Sequence, residues 1–528
     1  MAGWDYVIVG AGSAGCLLAN RLSADPARKV LLLEAGGQDG GFWLKVPVGY
    51  YRSVYDPRVS RTFLTEPEEG TAGRATRWPR GRVLGGSSSI NGLIFIRGDR
   101  AVYDAWGVEG WGARDVVPFF RKLERYEGGE SQERGGHGEL VVQDLRDDAP
   151  QVRHWLEAAA AAGHDAVADF NAGPSTVGMG RFQLSVGGHW RMSAARAFLR
   201  PAEARENLTV RTGAEVARVV VEKGRARGVE FRWQGGTHRV EAGEVILCAG
   251  AIQSPQLLQL SGIGPEAVLR AAGVAVLADR PEVGGNLQDH YQMRVILKMR
   301  DKRSLNLQTR NPLWLARAAA EWVLAARGPL TIGAGQVGGG IRTQHAVLPG
   351  PDLQVMAMPF SSDAPDAPLH PHPGFTSVVW QCYPDSRGRV DIRSADPGAD
   401  PVIRPNYLTA ERDRAVLVEG VKRLREIHAA VPFGAMVRAE VIPGPEARTD
   451  AEILDSIRRT AATVYHPCGT CRMGEDEAAP VDARLRVRGV EGLRVADASV
   501  MPIIPSGNIN APTLMVAEKA ADVILADA

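Results

Sequence analysis

The stretch "DYVIVGAGSAGCLLANRLSADPARKVLLLEAGG" (Asp5 to Gly37) decides the fold. An apolar run, Tyr6 to Val9, is short enough for a buried strand, and a glycine turn, a helical pattern and a second apolar run, Val30 to Leu33, follow it. Together they predict a β-α-β unit with a parallel strand pair. Within the G-x-G-x-x-G turn, Gly10 permits the tight bend, Gly12 lets the backbone approach a pyrophosphate, and Gly15 lets helix and strand pack closely. The helix N-terminus then offers unpaired N–H groups to phosphate, and Glu34 at the end of the second strand is placed to accept hydrogen bonds from ribose hydroxyls. A dinucleotide site is the reading; NAD and FAD remain equal at this point.

Bulk properties narrow the partners. A chain of 528 residues exceeds what one hydrophobic core usually organises, so two or more domains are expected. With Lys plus Arg at 62 and Asp plus Glu at 61, the net charge of +1 argues against nucleic acid and suits a small neutral or weakly charged ligand. The five cysteines are too few and scattered for a disulfide framework, and no secretory leader or run of 18 apolar residues is legible. A cytoplasmic protein without a transmembrane segment is expected.

A second glycine-rich segment, "RGRVLGGSSSINGLIFIRG" (Arg80 to Gly98), has side chains too small to fill a core and suits close approach to a flat, phosphate-bearing ligand. It resembles the first signature of the glucose-methanol-choline (GMC) oxidoreductases. "GAIQSPQLLQLSGIG" (Gly250 to Gly264) resembles the second signature, "GGNLQDH" (Gly284 to His290) the segment that follows it, and "LRVADASVMPIIPSGNINAPTLMVAEKAAD" (Leu493 to Asp522) the family's ending. The resemblance implies an FAD enzyme that oxidises alcohols. It implies an α/β fold, α+β overall: a discontinuous Rossmann-like FAD-binding domain from residues 1–160, 205–292 and 463–528, and an antiparallel-sheet substrate-binding domain from 161–204 and 293–462. It also implies cofactor contacts from Gly10, Gly12, Ser13, Gly15, Glu34, Ala35, Arg82, Gly85, Gly86, Ser87, Asn91, Gly92, Val216, Ala249, Asp497, Ala498, Asn508 and Thr513. Members that tether FAD covalently do so through a histidine where this chain has Ile90, so non-covalent FAD is expected.

The segment "TVYHPCGTCRMG" (Thr463 to Gly474) sets a histidine two residues before a C-x-x-C. A structural zinc site would need a fourth ligand, and none lies nearby at metal-binding spacing. A redox dithiol would make the chain a flavin disulfide reductase, whose cysteine pair belongs near the first glycine turn. Resemblance to the GMC family instead makes His466 the catalytic base and Asn510 its partner, with Cys468 and Cys471 as small packed residues. A neutral imidazole with a pKa near neutrality suits removal of the hydroxyl proton as hydride moves from carbon to flavin N5. Thr513 is expected to cap the last helix, whose N-terminus would stabilise negative charge at the flavin N1–C2=O edge.

Departures from the choline-oxidising members narrow the substrate. Gln292 stands where they carry a glutamate for the quaternary ammonium, and "DLQVMAMPF" offers Met356 and Met358 in place of a second histidine. A less polar pocket, with Gln292, Tyr465 and His466 on its wall, favours a neutral primary alcohol. Two loops, residues 127–139 and 361–374, are disposed to border the entrance, and a helix, Pro312 to Ala326, is expected to bury Leu315, Ala319, Trp322 and Val323 in the core rather than to touch a membrane. No metal is expected. The acceptor (O2, a quinone or another molecule) and the oligomeric state, with a homodimer one option, are not legible. A hydroxynitrile-lyase-type activity on the same scaffold stays open.

Overall fold

The computed structural model describes residues 3–146 and 149–527. β1 (Trp4–Val9), α1 (Ser13–Leu22) and β2 (Val30–Glu34) form where the sequence places them. β1 pairs in parallel with β2, Tyr6 opposite Val30, and on its other side with the end of the strand Gly236–Leu247, Tyr6 opposite Glu244. Strand Leu208–Thr212 extends the sheet beyond β2, and Leu493–Val495 adds to the far side of Gly236–Leu247. This parallel sheet is therefore assembled from the front, middle and end of the chain. Its central strands are almost wholly apolar where they pair, Tyr6–Val9 and Val30–Leu33, because they are buried on both faces, and α1 and the last helix (Asn510–Asp527) pack against each other.

A second, antiparallel sheet runs in the order Val337–Ile341, Leu353–Met358, Gly374–Gln381, Tyr291–Met299 and Val437–Ile442, with Ala462–Thr463 also pairing to Tyr291–Met299. The fold is thus mixed α/β with a sheet-rich second layer. Helix Pro150–Ala161 belongs to that layer: its Val152, Trp155, Ala158 and Ala159 are buried in the same core as Val295, Val355 and Val379. The expected division at residue 160 therefore falls at the wrong end of this helix, because its four apolar side chains find their partners on the second sheet.

Helix Pro312–Ala325 also departs from expectation. Trp322 and Ala318 are buried, whereas Leu315 is 47% and Val323 60% exposed. Among the described residues, no helix is long and apolar enough to cross a membrane.

Candidate active site between the two sheets

One cavity of about 1090 Å³ runs from the glycine turn after β1 to the face of the antiparallel sheet. That exceeds the roughly 300–1,000 Å³ of a pocket for one drug-sized ligand and suits a large cofactor with a substrate beside it. Gly10, Gly12, Ser13, Glu34, Ala35, Arg82, Gly86, Ser87, Asn91, Gly92, Val216, Ala249, Asp497, Ala498, Asn508 and Thr513 all line it, as do Gln292, Tyr465 and His466. Gly15 and Gly85 do not. A Cβ on Gly15 would lie 1.9 Å from the Gly10 carbonyl oxygen, so this glycine serves the contact of helix with turn, as its spacing implies. Gly85 has φ +85° and donates its N–H to the Ala11 carbonyl; it shapes the loop from behind instead of facing the cavity.

The cradle end fits a dinucleotide on this chain's own geometry. Gly10 sits at φ +99°, which side chains rarely adopt, and turns the chain so that α1 begins at Ser13 with its N-terminus on the cavity wall. The Glu34 carboxylate accepts from the Ala11 N–H at 2.9 Å and the Gly36 N–H at 2.8 Å, which fixes both ends of the turn and leaves lone pairs for ribose hydroxyls. Burial pushes its pKa up to about 7, a desolvation that hydroxyl donors would relieve.

At the other end, two segments distant in sequence are zipped together. Gln288 and Cys468 exchange backbone hydrogen bonds of 3.1 and 2.9 Å, and Val464 N–H donates to the His290 carbonyl. This short antiparallel pairing brings the His290 ring to the His466 ring, Nδ1 to Nδ1 at 3.0 Å. The protons follow from the partners. His290 Nε2 faces the Cys382 carbonyl at 2.9 Å, and a carbonyl only accepts, so Nε2 carries the proton. Burial holds the His290 pKa at about 4, so the ring is neutral and its Nδ1 is an acceptor. His466 must then donate from Nδ1, which leaves its Nε2 as a lone pair at the cavity. Desolvation first, with the Arg80 guanidinium adding to it, holds His466 well below 6.5, lower than the near-neutral value expected, because no local pattern in the sequence announces that the ring is fully enclosed with a guanidinium behind it.

The expected partner of the base has to be corrected. Asn508 Nδ2 donates to His466 Nε2 at 3.1 Å, and Asn508 Oδ1 is buried with no hydrogen-bond partner among the described residues. Asn510 sits at the start of the last helix, where its Oδ1 accepts from Ser13 Oγ at 2.8 Å, on the cradle side. The positions expected of the two asparagines are therefore exchanged, Asn508 standing at the base and Asn510 on the cradle side, because two residues on the approach to the helix point in different directions. Thr513 is likewise inside the helix, its N–H and Oγ1 both donating to the Ile509 carbonyl, and does not cap it. Pro512 is accommodated because a helix's first turn makes no demand on its N–H.

Around His466, Asp289 accepts from the His466 backbone N–H at 2.8 Å and from the Tyr407 hydroxyl, while burial pushes its pKa up to about 6. Tyr465 holds a left-handed φ of 68°, with its carbonyl accepting from Arg80 at 2.9 Å and its hydroxyl 2.9 Å from that of Tyr55. Gln292 donates to the Thr463 carbonyl at 3.1 Å. Cys468 and Cys471 are unpaired, fully buried and off the cavity wall, with burial pushing both thiols up. Among the described residues no cluster of three His, Cys, Asp or Glu stands ready for a metal. Of the two loops, residues 362–369 reach the cavity wall and 127–139 do not. Arg191, missed in the sequence, is buried against Asn91, donating to its Oδ1 at 2.7 Å.

Residues 4–292 match a family model described as GMC oxidoreductase, and residues 384–517 match a second model of the same description. The chain belongs to the GMC oxidoreductase family. It is 39% identical over 534 residues to the alcohol dehydrogenase (acceptor) of Pseudomonas putida, covering 99% of this chain and 96% of that one. It is 40% identical to the mitochondrial choline dehydrogenase of Homo sapiens, covering 99% and 89%. The solved pyridoxine 4-oxidase of Mesorbium loti superposes with a TM-score of 0.89 at 33% identity, covering 98% of each chain. This GMC oxidoreductase is an FAD-dependent enzyme of alcohol oxidation, and the residues of the cradle just described fit that cofactor.

Proposed function

We propose that the protein oxidises a neutral primary alcohol to the aldehyde, with His466 Nε2 as the base and Asn508 as the donor that holds the alcohol oxygen. The observation that carries this reading is the ring-to-ring hydrogen bond from His466 Nδ1 to His290, which leaves the Nε2 lone pair at the cavity. FAD supplies the hydride acceptor. His466 Nε2 receives the hydroxyl proton, which raises electron density on the carbinol carbon as hydride leaves. The Asn508 amide, already 3.1 Å from that nitrogen, turns its N–H to the same oxygen as charge develops. Asp289, bound to the His466 backbone, keeps the ring from following its proton.

The substrate wall favours apolar, uncharged alcohols. Met356, Met358 and Val378 of the antiparallel sheet face the cavity beside Gln292, and Arg294, two residues on along the same strand face, adds a cation. A quaternary ammonium group would meet the Arg294 cation and the uncharged Gln292, while the Asp363 carboxylate on the same wall lies 3.0 Å from His370 Nε2. Ile90 cannot bond to a flavin, which supports non-covalent binding, and five buried, unpaired cysteines suit a reducing cytoplasm.

The test is anaerobic addition of a panel of alcohols to the FAD-loaded protein. Primary alcohols should bleach the flavin while choline does not; reopening to air then sorts oxidase from dehydrogenase by the rate of reoxidation. A flavin that stays oxidised with every alcohol while a hydroxynitrile is cleaved would overturn the reading in favour of a lyase.

A further inference from the structure

Helix Pro312–Ala325 is apolar except for Arg317 and Glu321, yet it lies on the surface. Ala318 and Trp322 anchor it: the Trp322 ring meets Phe42 at 6.1 Å and Trp190 at 5.2 Å, and its indole N–H donates to the His189 carbonyl. The opposite face, where a surface helix ordinarily carries polar residues, presents Leu313 at 81% exposure and Leu324 at 84%, with Val323 at 60% beside them. Phe42, at 54%, and Trp43, at 38%, add exposed aromatic surface beside the helix at its Trp322 edge. Scattered exposed leucines need no explanation, but a contiguous apolar patch does.

We infer that this face docks on an anionic phospholipid surface. Charge identifies the occupant. Arg310, Arg317 and Arg327 are exposed on or beside the helix, and among the described residues none of them pairs with a carboxylate; Glu321 is the helix's one acid. Arg52 lies over the Trp43 ring at 4.7 Å. Arginines bordering an aromatic and aliphatic face suit lipid headgroups above an acyl layer. A second copy fits less well, because an isologous contact sets the same patch against itself and would bring unpaired arginines together. Nor does the helix span: its 14 residues extend about 21 Å, short of the roughly 30 Å hydrocarbon core. It lies in the interface plane. Trp43, Trp314, Leu315 and Ala318 also line the cavity, so docking turns its mouth toward the acyl region, where apolar alcohols partition. That last consequence rests on the alcohol reading; the docking itself does not.

Vesicle flotation of the FAD-loaded protein reads docking alone. The protein should float with vesicles containing phosphatidylglycerol, less with pure phosphatidylcholine, and less at high salt. Arg310→Gln, Arg317→Gln and Arg327→Gln combined should weaken partition onto the anionic vesicles on the order of 10²-fold, from about fivefold per arginine. Leu313→Asp with Leu324→Asp should abolish flotation on both vesicle types. None of these side chains lines the cavity, so flavin content and turnover of a soluble alcohol should be unchanged, which separates failure of docking from failure to fold. Absence of flotation on either vesicle, or variants that float like the parent, would overturn the proposal. A stable dimer dissolved by the leucine substitutions, without lipid binding, would assign the face to a second copy instead.

Discussion

Replacing His290 by phenylalanine removes the acceptor on which the protonation of His466 depends while roughly keeping its volume against the Trp380 ring, 6.1 Å away. His290 is fully buried, so no water takes its place readily, and the His466 Nδ1–H would be left unsatisfied at a cost of about 1–3 kcal/mol. The ring escapes that cost by moving its proton to Nε2, the tautomer that cannot act as base. At about 1.4 kcal/mol per tenfold, the competent tautomer falls by roughly 10- to 10²-fold, and flavin reduction by alcohol should fall with it. His290→Gln, which restores a carbonyl acceptor, should recover part of the rate. A second readout separates positioning from mere packing. The neutral His290 accepts from the His466 Nδ1–H in the imidazolium as well as in the neutral ring, and only the neutral ring can shed that proton once the acceptor is gone, so in His290→Phe the acid limb of the reduction rate should move to lower pH. Anaerobic stopped-flow across pH makes both measurements. A folded, FAD-loaded His290→Phe reduced within about twofold of the parent, with an unmoved limb, would refute the tautomer argument.

The two asparagines should separate cleanly: Asn508→Ala should slow flavin reduction by roughly 10²-fold, the usual worth of one donor to a developing oxyanion, while Asn510→Ala should weaken FAD retention through Ser13 and leave the reduction rate of the loaded enzyme near the parental value. Equal losses of rate would contradict the assignment. Cys468→Ala and Cys471→Ala, singly or together, should cost about 1 kcal/mol each in packing and leave reduction intact; loss of reduction with FAD still bound would point to a dithiol centre. His428 is buried beneath the second sheet with its pKa held down to about 3, chiefly by desolvation. Because this folded value lies below the unfolded 6.5, its neutral form costs nothing above pH 6.5, and stability is lost as the unfolded chain takes up the proton between pH 6.5 and 3, about 1.4 kcal/mol per unit. The parent's denaturant midpoint should therefore fall more steeply from neutral pH toward pH 4 than that of His428→Gln, and parallel profiles would exclude the effect.

What could be read in the sequence was what is local. The turn from Gly10 to Gly15 and the acid at Glu34 are fixed by chain geometry within one β-α-β unit, and the structure puts them where that geometry requires. His466 was found through the motif around it. His290 was in view in the same way, within "GGNLQDH", but its role depends on a backbone pairing between segments 176 residues apart, which no local pattern announces. Asn508 and Asn510 differ by two positions, and only the place where the last helix begins decides which reaches the base. The surface helix differs from expectation for another reason: an apolar face implies core packing only when the opposite face is polar, and here the opposite face carries Leu313, Ala320 and Leu324. That signal was in the sequence.

The central claim is that His466 Nε2 takes the alcohol's proton, and anaerobic stopped-flow reduction of His466→Ala tests it most directly. The variant should retain FAD, since the cradle around Gly12 and Glu34 lies at the other end of the cavity. Its reduction by alcohol should slow by roughly 10²- to 10⁴-fold, and the low-pH limb of the parent should disappear. A folded, FAD-loaded His466→Ala reduced at nearly the parental rate would contradict the account.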